Sequence, residues 1–150
     1  VFHILSSANV TLSNMTIRNG YMSSGAGILD EGNLTLNNVV VTGNAANNLS
    51  NSTIGHGGGI MVNRGTLILN NSKVQNNTAT GSGGGIINFS GTVTINNSVI
   101  SGNTATVSGG GLATNQGTIE VIEFHQNSDL EVETDKVFRF LRKIIDLETR

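Results

Sequence analysis

Glycine runs that return in one fixed frame constrain this chain more than any other feature of its sequence. "GHGGGIMVNRG" ends at Gly65, "GSGGGIINFSG" at Gly91, "VSGGGLATNQG" at Gly117, and a shortened cousin, "SGAGILDEG", at Gly32. A phosphate-binding loop would occur once, whereas a structural corner recurs. The surrounding residues recur as well. Residues 66–91 and 92–117 are both 26 residues long and align without a gap, with 13 identities. Residues 33–65 fit the same frame with seven extra residues before the glycines, 9–32 form a shorter copy, and "TIEVIEFHQN" from Thr118 begins a fifth.

Within each unit the apolar residues alternate, the period-2 signature of strands with one buried face. The first strand places Val10 and Leu12, Leu34 and Leu36, Leu67 and Leu69, Val93 and Ile95, Ile119 and Val121 on one side. Thr11, Thr35, Ile68, Thr94 and Glu120 face the other side. After an Asn-rich corner, a second strand supplies Ile17, Val41, Val74, Ile100 and Phe124 to the same interior, each followed three residues later by Gly20, Asn44, Asn77, Asn103 or Asn127. A third apolar position, Ile28, Ile60, Ile86 and Leu112, follows the glycines.

Three short strands and three corners per unit of roughly 25 residues have a natural solution, a coil whose turns stack about 4.8 Å apart. The expected fold is therefore all-β, a right-handed parallel β-helix of about five rungs over 1–128, followed by a C-terminal amphipathic helix in 129–150 as cap or tail. No unit can bury its apolar face alone, but stacked units build continuous columns. Asparagines one rung apart can hydrogen-bond along the axis, and the ladders expected are Asn70 with Asn96, and Asn44, Asn77, Asn103 and Asn127. The glycines sit where the chain must turn with φ > 0 and where the next rung's backbone must approach without a Cβ. A nucleotide loop requires G-x-G-x-x-G opening a helix, or G-x-x-x-x-G-K-[ST], and these runs lead into strands with no following Lys.

With those residues in hand, 1–127 resembles the right-handed parallel β-helix repeats of bacterial cell-surface proteins. It is similar in particular to the polymorphic outer-membrane-type and CSLREA-domain repeat families, whose units carry G-G-[AG]-[ILV] and F-x-x-N. The first motif stands here as GAGI, GGGI, GGGI and GGGL. The second is strict at Phe124 to Asn127 and has Val or Ile for Phe at Val41 to Asn44, Val74 to Asn77 and Ile100 to Asn103. The resemblance implies a secreted, displayed array of the adhesin or autotransporter-passenger kind. The charged tail and the lack of a β-barrel anchor depart from that pattern.

Net charge is −2, so the overall field gives no reason to expect nucleic acid or an anionic membrane as partner. Of the charged residues, only Arg18, Asp30, Glu31, Arg64 and Lys73 precede residue 118, which marks a composition break at the start of the tail. Cysteine is absent, which removes disulfides and thiolate metal sites without fixing the compartment. No apolar run approaches the roughly 20 residues that span a bilayer, so membrane insertion of this stretch is not expected, and an export signal is expected outside it. The N-x-S/T sequons at Asn9, Asn14, Asn33, Asn51 and Asn70 carry little weight in a chain this rich in Asn, Ser and Thr.

Parallel β-helices also host polysaccharide lyases and hydrolases, which need paired carboxylates or an oxygen-rich calcium site plus a base. The repeats offer Asp30 and Glu31, strand neighbours expected to point apart at a solvated corner, and no other acid until Glu120. None of the glycine runs carries the regular Asp of a calcium-binding nonapeptide. His3, His56 and His125 fall in three contexts and are expected at the surface. No G-x-S-x-G elbow is present. No residue is therefore assigned as catalytic, cofactor-binding or metal-ligating, and no cofactor is expected. The Thr11, Thr35 and Thr94 file would resemble an ice-binding face, but Ile68 and Glu120 interrupt it. Val40 and Val99, flanking Lys73, read as a contact patch or as the floor under the loop 45–56.

The tail "TDKVFRFLRKIIDLETR" has Thr134 as N-cap candidate, Asp135 in the first turn, and Val137, Phe138, Leu141, Ile144 and Ile145 on one face, with Arg139, Arg142 and Lys143 beside it. Such a face would cover Ile119, Val121 and Phe124 at the open end of the array and suppress end-to-end self-association. The expected function is a non-catalytic module for adhesion, display or spacing, extracellular or on a bacterial surface, with a host-cell or surface glycan or a protein as partner. The alternative is a non-catalytic portion of a carbohydrate-active β-helix protein.

Overall fold

The computed structural model describes residues 1–47 and 54–124, with the side chains of residues 123 and 124 excepted. These residues form a parallel β-solenoid of about four turns, with no helix among them. Four ladders of parallel strands run along its axis. The first stacks Asn9–Ser13, Asn33–Asn37, Thr66–Asn70, the start of the long strand Thr92–Ser101, and Thr118–Phe124. The second stacks Thr16–Arg18, Val40–Thr42, Lys73–Gln75 and the end of that same long strand. The third is only two residues wide, Tyr21–Met22, Ala45–Ala46, Thr78–Ala79 and Thr104–Ala105. The fourth follows the glycines and stacks Phe2–Ile4, Ile28–Asp30, Ile60–Val62, Ile86–Asn88 and Leu112–Thr114.

The alternation expected of the first two ladders is present. Leu34, Leu36, Leu67, Leu69, Val93 and Ile95 are fully enclosed, as are Val41, Val74 and Ile100, while Thr35, Ile68 and Thr94 are only half-buried on the outer face. Ile28, Ile60, Ile86 and Leu112 close the interior from the fourth ladder. Each such side chain contributes about 1.5–3 kcal/mol by leaving water, so the columns are the main source of stability. Val40 and Val99 do lie outside, in register with Lys73. The loop expected to cover them runs through residues 48–53, outside the described set.

Polar columns hold the corners. Asn44, Asn77 and Asn103 are buried, and each amide reaches the next: Asn44 Nδ2 donates to Asn77 Oδ1 at 2.9 Å and Asn77 Nδ2 to Asn103 Oδ1 at 3.0 Å. Asn96 donates to Asn70 at 2.8 Å, and Asn70 in turn to Asn37 at 2.8 Å. A second set makes the bend between the first two ladders. Asn14, Asn38, Asn71 and Asn97 adopt φ of 55°, 58°, 49° and 43°, the left-handed region that Asn tolerates better than other non-glycine residues. Beside them, the hydroxyls of Ser72 and Ser98 accept the main-chain amides of Val39 and Ser72 at 3.0 and 2.9 Å.

The glycine runs are corners. Gly57, Gly83 and Gly109 have φ of 66°, 69° and 59°, and a Cβ on Gly58 or Gly84 would lie 2.2 Å from the carbonyl oxygen of Thr78 or Thr104. Their amides are already used. Gly57, Gly58 and Gly59 donate to the next turn's Ser82, Gly83 and Gly85, and Gly83, Gly84 and Gly85 donate to Ser108, Gly109 and Gly110. These two runs leave no cradle of free N–H groups to receive a phosphate.

The structure corrects the sequence-based picture in three respects. Each turn has four strands, because Thr78–Ala79 and its equivalents pair as well; Ala26, Ala46 and Ala79 pack as a separate small cluster where the glycine corner comes too close for larger side chains. The turns number about four, since the fifth is represented only by the single strand Thr118–Phe124 among the described residues. That strand also slips in register, so that Phe124 stands opposite Ser98 instead of extending the Ile100 column. His125, Asn127 and the tail 129–150, with its expected helix and cap, lie outside the described residues.

Candidate functional site

Stacked turns of equal size would leave a flat outer face, and this one is not flat. On the outside of the fourth ladder, Met61, Ile87 and Ala113 succeed one another in register. The corner before them carries His56, Ser82 and Ser108, linked by the amide of Ser82 donating to His56 Nδ1 at 3.1 Å and by a Ser82 to Ser108 hydroxyl contact of 2.9 Å. Side chains thus shrink from one turn to the next, Ile87 to Ala113 and His56 to Ser108. The corner after the ladder shows the same drop, from Phe89 to Asn115. The step opens a groove of about 240 Å³ lined by these residues, Met61 excepted.

His56 and Phe89 meet edge to face, with ring centroids 5.7 Å apart and planes at 82°. Ile87 lines the groove beside them and, set against the Gly57 and Gly83 corners, is only 4% exposed although it faces outward. Burial holds the His56 pKa below the ordinary histidine value. Because Nδ1 accepts the Ser82 amide, the proton of the neutral ring sits on Nε2, which leaves that nitrogen as a donor. The groove therefore offers an imidazole donor, hydroxyls that donate or accept, the exposed Asn115 amide, and an aromatic and aliphatic floor. Among the described residues, no Asp, Glu, Lys or Arg lines it.

The acidic pair lies elsewhere and is split. Alternation from Ile28 turns Leu29 out and Asp30 in, and Asp30 is fully enclosed in a column with Ile4, Val62, Asn88 and Thr114. The solvated corner expected for Asp30 is thus incorrect. Burial pushes its pKa up to about 7; the Gly32 amide donating to Oδ1 at 3.1 Å opposes the rise, and the charge of Glu31 adds to it. Glu31 points outward, accepting from the His3 ring at 2.9 Å and from Asn63 Nδ2 at 2.9 Å, and these hydrogen bonds hold its carboxyl below the usual range. The two carboxylates do not converge. Among the described residues, no group of three His, Asp or Glu side chains is placed to hold a metal ion.

His3 is exposed as expected, but His56 is drawn partly into the groove. Two signals in the sequence pointed to these placements. In the repeat frame His56 aligns with Ser82 and Ser108, which marks a corner column and not a free loop, and the period-2 count from Ile28 reaches Asp30 on the inner side. No family model, no curated protein and no solved structure matches this chain; what its repeats are shown to build is a parallel β-solenoid.

Proposed function

We propose that this chain is a non-catalytic module of a secreted or surface-displayed protein, a stiff parallel β-helix that carries an uncharged binding groove and holds it at a set height along its axis. The observation that carries the reading is the step at Ile87 and Ala113. It creates a concave site with a ring wall, hydroxyl, amide and imidazole donors and no charge, on a scaffold whose every turn is fixed by its neighbours. That combination suits a neutral sugar unit of a surface glycan, which presents apolar ring faces beside hydroxyls. An uncharged lining disfavours nucleic acid and acidic polymers.

Adhesion and display fit a scaffold of this kind, and the separation of Asp30 from Glu31 speaks for binding over turnover. The test is a panel of neutral, acidic and basic glycans presented to the full chain and to Phe89→Ala, alongside a reducing-sugar assay. Retention on neutral glycans that weakens at least tenfold in Phe89→Ala, with no new reducing ends, supports the reading. Release of reducing ends would instead favour a carbohydrate-active protein, and equal retention of the variant would remove the groove from the account.

A further inference from the structure

Asp30 occupies a position whose other polar occupants share one task. Asn88, one of its successors in the same interior column, donates from Nδ2 to the carbonyl of Gly91 at 3.1 Å and to that of Thr118 at 3.0 Å, and accepts the Gly91 amide on Oδ1 at 2.8 Å. Thr114, the next in the column, donates from Oγ1 to the carbonyl of Gly117 at 3.2 Å. Gly91 and Gly117 close their turns before the next first-ladder strand. Where it is polar, the position therefore calls for a donor to the carbonyl of the closing glycine.

Asp30 meets half of this requirement. Its Oδ1 accepts the Gly32 amide at 3.1 Å, as Asn88 Oδ1 accepts that of Gly91, but its Oδ2, buried, has no partner among the described residues. Gly32 is the closing glycine of this turn, and its carbonyl accepts the Thr66 amide just as the Gly91 carbonyl accepts that of Thr118. The Gly91 carbonyl also takes the Asn88 donor, so the matching place at Gly32 corresponds to the unpartnered Oδ2.

We propose that Asp30 is a proton-operated clasp: protonated, its Oδ2–H donates to the Gly32 carbonyl and locks the turn as Asn88 locks its own; ionised, it leaves an enclosed carboxylate facing carbonyl oxygens and loosens the corner between Ile28 and Asn33. The groups that bear on it are few. Glu31 precedes the closing glycine and faces out, engaged by His3 from the preceding turn and Asn63 from the following one, and Arg64 acts on Glu31. The column neighbours Ile4 and Val62 are apolar, and Gly65 packs directly against the carboxyl. Among the described residues, no cation faces Asp30 to hold it ionised.

The sign follows from linkage. Burial pushes the folded-state pKa to about 7 against an ordinary 3.8, so the stabilisation is fully present below the lower value and is lost as pH rises toward the upper one. Urea midpoints of the full chain and of Asp30→Asn, measured from pH 4.5 to 8.5, test the proposal. The ratio of the wild-type to the Asp30→Asn folding constant should fall by up to about tenfold per pH unit between roughly pH 5 and 6.5, then flatten. The amide variant should be the more stable of the two at pH 8.5. A ratio independent of pH overturns the clasp. Should Asp30→Asn not fold, the carboxyl carbon of Asp30 is titrated directly by NMR in the wild-type chain, and a midpoint near 4 overturns it equally.

Discussion

The side-chain oxygen of Asn103 receives two hydrogen bonds from Asn77, one from its main-chain amide and one from Nδ2, both at 3.0 Å. Asn77 does the same for Asn44, at 3.0 Å from the amide and 2.9 Å from Nδ2. Each amide side chain thus caps the turn before it, and removing one leaves donors and acceptors stranded on both sides. Asn77→Ala should lower stability by about 3 kcal/mol, since several buried polar groups lose partners together. Asn33→Ala, at an exposed amide pair with Asn9, should cost under about 0.5 kcal/mol. Denaturant midpoints of the two variants decide, and comparable losses would show that the buried ladder has no special weight.

Strand parity gives a second contrast. Val74 is wholly enclosed and its neighbour Lys73 is exposed. Val74→Asp should cost several kcal/mol by placing a carboxylate among Leu and Ile columns, and Lys73→Asp under about 1. Equal melting temperatures would mean that the two faces are exchanged.

Glycine is required at some corners for space and at others for φ. Gly84 has no room for a Cβ, which would meet the Thr104 carbonyl oxygen at 2.2 Å, so Gly84→Ala should prevent folding or cost several kcal/mol. Gly43 is open: a Cβ there would find its nearest neighbour, Asn19 Oδ1, at 3.5 Å, and its φ of 62° resembles those of Asn19 and Asn76 in the same column, 59° and 54°. Gly43→Asn should therefore change stability by less than about 1 kcal/mol. A thermal melt of each variant separates the two cases.

Acid should act on His56 in the direction opposite to Asp30. Its folded pKa lies below the ordinary 6.5, so the stability it contributes is present above that value and is lost as pH falls through the folded pKa. An NMR titration should show the ring charging below pH 6.5, with the Ser82 amide shifting in step as Nδ1 gains its proton. A ring that charges at 6.5 or above would contradict the groove as described.

Most of the scaffold was legible because the repeat reports the same physical demand several times over. Val41, Val74 and Ile100 agree with one another, and so do Asn44, Asn77 and Asn103, which makes an interior column or a ladder hard to mistake. What escaped was written only once or too briefly. The strand Thr78–Ala79 is two residues long, too short for alternation to register. Asp30 is one acid in a column otherwise filled by Ile4, Val62, Asn88 and Thr114, and polarity alone suggested solvent where the period-2 count pointed inward. The groove depends on a drop in side-chain size between neighbouring turns, which averaging over repeats conceals.

Asn44 and Asn77 are 33 residues apart in sequence and Asn77 and Asn103 only 26, yet both pairs are neighbours one turn apart. Height along this molecule is consequently counted in turns and not in residues: the seven residues between Asn47 and Gly55 have no counterpart in the next turn, yet Ala45–Ala46 and Ile60–Val62 on either side pair in the common register.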